Sequence, residues 1–122
     1  MDLFIDFESD DAIYVQLCNQ IIMGIATNRI QNGDSLPSVR QLAEMIDINM
    51  HTVNKAYSIL KNEGYITLDR RRGAIVSVDA NKAAILERMR KEIEVAVARG
   101  ICNGVTREET HALIDELYDE FT

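Results

Sequence analysis

The sequence predicts a mainly α fold with one small β-hairpin: a winged helix-turn-helix over residues 1–79, followed by a two-helix tail over residues 80–122. Three observations predict it. Two short helical patterns between Gly33 and Tyr65 are separated by a three-residue break; a hairpin signal with a basic tip follows them; and two more amphipathic patterns, parted by Asn103-Gly104, close the chain.

The first helix is read from Tyr14, Leu17, Ile21 and Ile25, which recur at helical spacing and predict an amphipathic helix over about Asp11 to Gln31. In this fold such a helix packs across the helix pair as scaffold. Tyr14, with a ring to bury and a hydroxyl to satisfy, and Gln16 are read as structural. Asn32-Gly33-Asp34 is a turn signal. Pro37 stops an earlier helix from running on and Ser38 is a natural N-cap, so the second helix starts at about Val39 and buries Val39, Leu42, Ala43 and Ile46. Asp47-Ile48-Asn49 breaks that pattern, and Asn49 or a neighbour caps a third helix. Its buried face is Val53, Ala56, Tyr57 and Leu60, which leaves Met50, His51, Asn54, Lys55 and Ser58 pointing elsewhere. An outward face rich in short hydrogen-bonding groups suits a major-groove reader.

Gly64 ends the third helix, Tyr65 to Leu68 alternates like a strand, and Ala74 to Val78 is a second β-rich run. Asp69-Arg70-Arg71-Arg72-Gly73 between them makes a basic hairpin tip, a wing. In the tail, Asp79-Ala80-Asn81 offers caps for a helix carrying Ile85, Met89, Ile93, Ala96 and Val97 on one face. Gly104 takes the left-handed conformation that ends it, Thr106-Arg107-Glu108-Glu109 is a capping box, and Leu113, Ile114, Leu117, Tyr118 and Phe121 form a broad stripe on the last helix. A free helical hairpin cannot bury two such stripes. The expected cover is an identical tail in a two-fold homodimer, with Ile85, Met89, Ile93, Val97, Leu113, Ile114, Leu117, Tyr118 and Phe121 as its contacts. The alternative is that both helices fold back onto their own winged domain.

A formal charge of −7 is the wrong sign for a nucleic-acid binder if spread evenly, because phosphate neutralisation supplies most non-specific affinity. It is not spread evenly. Residues 1–11 carry −5, residues 12–80 carry +1 and residues 81–122 carry −3, with Arg40, Lys55, Arg70, Arg71 and Arg72 placed on the motif itself. No apolar run approaches a membrane span and the acidic start is unlike a secretory signal, so the expected location is cytoplasmic, without a membrane partner. Cys18 and Cys102 lack any C-x-x-C pairing and are read as buried small hydrophobes in a reducing compartment. His51 and His111 have no companion at metal-ligand spacing, and no phosphate loop or nucleophile motif is present; the reading is of a non-enzyme with no metal and no cofactor.

Four stretches closely resemble the GntR family of bacterial transcription regulators: Ala12-Ile13-Tyr14-Val15-Gln16, Gly33 to Ala43 with its Leu-Pro-Ser-x-Arg-x-Leu-Ala element, Ile48 to Tyr57 with Thr-Val-x-x-Ala-Tyr, and Gly64-Tyr65-Ile66. The short tail is similar to that of the YtrA-like subfamily. The resemblance implies a repressor that binds a palindromic operator in double-stranded DNA as a homodimer, controls transporter genes and has room for a small-molecule effector only at the dimer interface or between tail and winged domain. It implies DNA contacts by Arg40, phosphate contacts at Ser38 and Thr52, base or phosphate contacts by Asn49, His51, Asn54 and Lys55, and a wing of Arg70, Arg71, Arg72 and Gly73. Two departures stand out. Met50 and Asn54 replace arginines of some relatives; Asn pairs with adenine and Met with a thymine methyl, so the expected operator is A·T-biased. A family Gly-x-Gly is Arg71-Arg72-Gly73 here, so Arg71 either restricts the turn or enters a narrow minor groove. The competing class is a winged helix used as a protein-interaction module without specific DNA binding, which the acidic surface favours.

Overall fold

The computed structural model describes residues 3–122 and divides them into two compact units, one running to Asp79 and the other Ala80–Thr122. The first holds α1 (Ile13–Ala26), α2 (Val39–Ile46), α3 (Met50–Asn62), β1 (Ile66–Asp69) and β2 (Gly73–Val76); the second holds α4 (Lys82–Cys102) and α5 (Arg107–Phe121). The fold is mainly helical, a winged helix-turn-helix with a two-helix tail.

In the first unit Leu17 and Ile21 of α1, Leu42 and Ala43 of α2, and Val53, Ala56, Tyr57 and Leu60 of α3 close on Ile66, Ala74 and Val76 of the hairpin. The 3.6-residue period that selects those positions on each helix is what sends the polar remainder of α3 outward. β1 and β2 pair antiparallel with Ile66 opposite Val76 and Asp69 opposite Gly73. The second strand is therefore shorter than the sequence suggested, ending at Val76. A third edge joins it: the Gly33 amide donates to the Val76 carbonyl at 2.8 Å, the Val76 amide to Asp34 at 2.9 Å and the Leu36 amide to Ala74 at 2.8 Å. The segment read as a plain turn thus ties the start of α2 to the wing's inner strand.

α1 is shorter at both ends than the predicted Asp11 to Gln31. It stops at Ala26 because Thr27 caps Met23, with both its amide and its hydroxyl donating to that carbonyl, and Asn28 turns left-handed at φ 60°. The Ile30 amide then donates back to Gly24 at 3.0 Å and its side chain is buried. Gly24 makes this possible, since a Cβ there would lie 2.7 Å from Ile30 Cδ1. At the other end Ala12 offers no side-chain cap. The Gln16 amide group works there instead, accepting from the Asp6 N–H at 2.9 Å and donating to the Asp6 and Asp11 carbonyls. Gln20 likewise accepts from the Phe4 N–H and donates to the Phe4 carbonyl, which straps the acidic leader onto α1 with Ile5 buried beneath it. Gln16 is structural, by hydrogen bonding that helical spacing does not reveal.

In the second unit Asn81 Oδ1 caps α4 by accepting from the Ala84 N–H at 3.2 Å. Beyond Cys102 the Val105 amide donates to Gly100 and the Gly104 amide to Ile101, the paired closure that ends a helix on a left-handed residue. Thr106 and Glu109 form the expected capping box, at 3.1 and 3.0 Å, and the bond from the Thr106 N–H, with the Thr106 hydroxyl nearby, lowers the pKa of the Glu109 carboxyl. No side chain on α4 or α5 is buried, and Leu86, Met89, Ile93, Leu113, Leu117 and Tyr118 stand exposed. Cys102 is exposed too, contrary to the expectation of a buried small hydrophobe; Cys18 alone fits it. Its thiol donates to the Ala56 carbonyl at 3.4 Å, and burial, with Glu63 nearby, pushes it up to about 11, so it stays protonated and unreactive.

Candidate nucleic-acid interface

The helix pair is set by local chemistry and then locked by one long bond. Ser38 Oγ accepts from the Gln41 N–H at 3.1 Å while Gln41 Oε1 accepts from the Ser38 N–H at 3.0 Å, a capping box that fixes the first turn of α2. Arg40 is exposed on that turn. Since the Ser38 oxygen serves the cap, its hydroxyl proton is left to donate outward. Between the helices Asp47 takes φ 53°, and the Ile48 amide donates to Ala43 at 3.0 Å. Asn49 Oδ1 then accepts from the His51 N–H at 2.7 Å and starts α3. With that oxygen engaged in the cap, Asn49 still has both N–H groups of its amide to donate to a ligand.

Tyr57, buried on the inner face of α3, donates its hydroxyl to the Pro37 carbonyl at 2.7 Å, and burial pushes its pKa well above the ordinary tyrosine range. This bond spans from α3 to the residue just before the α2 cap, so the two helices are held in one relation. On the outer face Met50, His51, Asn54, Lys55 and Ser58 are all exposed, and Thr52 is half-buried at the first turn. Lys55 Nζ lies 3.9 Å from the centroid of the Tyr14 ring, within cation–π range.

At the wing tip Asp69 Oδ1 accepts from the Arg71 N–H at 2.7 Å and the Arg72 N–H at 3.3 Å. The left-handed position is Gly73, φ 77°, where no Cβ opposes it. Arg71 therefore does not restrict the turn: among the described residues only Asn28 and Asp47 are non-glycines with positive φ. Arg70, Arg71 and Arg72 are exposed, and none of them, nor Arg40 or Lys55, is ion-paired with another described residue. Their charge is unspent on the protein. Sequence reasoning picked these cations by position in the motif, but it missed Asp69, whose carboxylate shapes the tip, and the Tyr14 ring beneath Lys55. An Asp two residues before the amide it binds is a readable turn signal; a ring from another helix is not.

Asp69→Ala removes both turn bonds and is expected to weaken DNA binding and loosen the wing by about 1 kcal/mol. Asp69→Asn keeps an acceptor oxygen and deletes a negative charge from the basic tip, so it is expected to bind DNA at least as tightly as the native chain. Affinities of the two variants at one salt concentration check this; an alanine variant that binds like the asparagine one removes the turn from the account.

A sequence profile described as "Bacterial regulatory proteins, gntR family" matches residues 13–76, which spans α1 to β2. The chain is 34% identical over 116 residues to the HTH-type transcriptional repressor YtrA of Bacillus subtilis, covering 93% of this chain and 89% of that one. Among solved structures it is similar to a transcriptional antiterminator from Listeria monocytogenes EGD-e, with a TM-score of 0.90 and 26% identity over 99% of this chain and 92% of that one. It is also similar to YtrA from Sulfolobus acidocaldarius, a GntR-family transcription factor, with a TM-score of 0.60 and 36% identity over 97% of each chain.

Proposed function

The chain belongs to the GntR family of bacterial regulatory proteins, and from that premise we propose that it is a cytoplasmic transcriptional repressor that binds a palindromic operator as a homodimer. Its family is one of transcription regulators, not enzymes. The observation that carries the DNA-binding reading is the set of unpaired cations: Arg40 and Lys55 on the helix pair and three arginines on a clamped wing, around an α3 face of exposed polar side chains. In a chain of charge −7 what distinguishes them is placement: five cations fall on the helix pair and wing of a segment whose net charge is +1, a local concentration of positive charge of the kind that phosphate binding uses.

In this reading Arg40 and Asn54 reach base edges, with Met50 on a thymine methyl, while Ser38, Thr52, Lys55 and the wing hold phosphates. Asn49 and His51 border the same surface at the start of α3. The homodimer forms through the stripes of the second unit, exposed Ile85, Met89, Ile93 and Val97 on α4 with exposed Leu113, Ile114, Leu117 and Tyr118 and half-buried Phe121 on α5, because apolar area of that extent is stable in water only when covered. Two half-sites follow from two-fold symmetry. The resemblance to short relatives adds transporter genes as the target and a small-molecule effector as the signal.

The test is a mobility-shift titration with DNA from upstream of the chain's own gene, at several salt concentrations, beside light scattering of the free protein. A dimer at micromolar concentration and a shift that weakens steeply with salt are expected. A monomer removes the dimer. No salt-sensitive shift on that DNA or on a duplex pool replaces the reading with a protein-interaction module.

A further inference from the structure

We propose that Tyr14 is a positioning residue for DNA binding: the face of its ring holds the Lys55 ammonium in place on the α3 surface, ready to meet a phosphate. The inference rests on the DNA-binding reading above and adds to it a residue of α1, the scaffold helix. Lys55 Nζ lies 3.9 Å from the ring centroid. Lys55 follows His51 by one helical turn and precedes Ser58 by three residues, so its exposed side chain stands on the face assigned to DNA.

The two partners differ in stiffness, and that difference gives the contact its use. Tyr14 sits in the first turn of α1, half-buried against the core, and its ring has only two side-chain torsions. Lysine has a flexible four-carbon stem, and fixing it on a phosphate costs rotamer freedom at the moment of binding. A ring that holds the ammonium beforehand removes part of that cost. A carboxylate would hold it as well but would cancel its charge. Lys55 makes no ion pair with any described residue, and the π face leaves the full positive charge available to DNA. Among the described residues Arg40 and the wing arginines lie over no ring, so on this surface it is Lys55 whose position is set by a second helix.

The experiment uses the full chain and a duplex that the native protein selects from randomised DNA. Tyr14→Leu is expected to weaken binding about two- to fivefold at fixed salt, the size of an exposed cation–π contact. Tyr14→Phe, which keeps the ring, is expected to bind like the native chain. In a Lys55→Met background, where one phosphate contact and about one unit of salt slope are gone, Tyr14→Leu is expected to cost nothing further. The same loss from Tyr14→Leu in both backgrounds, or a loss from Tyr14→Phe equal to that from Tyr14→Leu, overturns the proposal and leaves packing or the hydroxyl as the cause. The free protein supplies a second measurement. The Lys55 ε-methylene protons are expected to be shifted upfield by the ring and to return to ordinary values in Tyr14→Leu; unshifted protons in the native chain also overturn it. A native chain that binds no duplex defeats the DNA-binding reading itself, an outcome the proton shifts keep distinct.

Discussion

A chain ended after Asp79 is expected to bind a duplex with two half-sites about 100- to 10,000-fold more weakly than the full chain, while binding a single half-site about equally well. The expectation follows from where the core lies. Every buried side chain among the described residues falls between Ile5 and Val76, and α4 and α5 bury none, so removing residues 80–122 leaves every residue of the core that holds the helix pair and wing in the chain. What it takes is the proposed dimer contact, and with it the second half-site held at high effective concentration. Charge makes the prediction sharp, because the removed segment carries −3. Its loss leaves a less acidic protein, so electrostatics alone would tighten DNA binding. Weaker binding to the two-half-site duplex, with an unchanged thermal midpoint, is therefore the signature of lost avidity. Equal affinity of the two chains for that duplex would remove the tail from DNA recognition.

The helices of both units were largely legible because their causes are local. Ser38 with Gln41 and Thr106 with Glu109 are capping pairs three residues apart, and Val53, Ala56, Tyr57 and Leu60 repeat at the helical period. The end of α1 was not legible, since Thr27-Asn28 stops the helix two residues past Ile25 with no glycine or proline before Gly33 to mark it; the stop succeeds because Gly24 admits the Ile30 side chain folded back against it. The same holds for the edge formed by residues 33–36, for Gln16 and Gln20 binding the leader, and for Tyr57 reaching Pro37. These bonds join residues 5 to 43 positions apart, and helical spacing carries no record of them. Within the candidate site, exposure could be read from the periodicity of α3, whereas the partners of the exposed groups could not. Cys102 shows the limit in the other direction: a residue type usually buried is exposed on a helix that buries nothing.

Replacing Arg70, Arg71 and Arg72 together by alanine is expected to change the salt dependence of binding more than any other substitution on this surface. If each arginine neutralises one phosphate, the slope of log affinity against log salt falls by about 2.7, so a fourfold rise in salt costs the native chain about 40-fold more than the variant. The fold does not share the loss. All three side chains are exposed, and the turn is held by Asp69 Oδ1 on backbone amides and by Gly73, neither of which needs an arginine side chain. An unchanged thermal midpoint is therefore part of the expected result. Arg40→Ala is the contrast. One cation on the first turn of α2 accounts for about one unit of slope at most, yet its loss is expected to cost about 1–3 kcal/mol and to relax base preference at one symmetric position in each half-site. Selection from randomised DNA separates the two: the wing variant should recover the native consensus at reduced affinity, with any change confined to A·T-rich flanks where arginine enters a narrow minor groove. A consensus that survives Arg40→Ala intact would reassign Arg40 to a phosphate and leave Asn54 and Met50 as the base readers. A slope unmoved by the triple substitution would show that the wing stands clear of the duplex, and the phosphate contacts would then fall to Lys55, Ser38 and the first turn of α3.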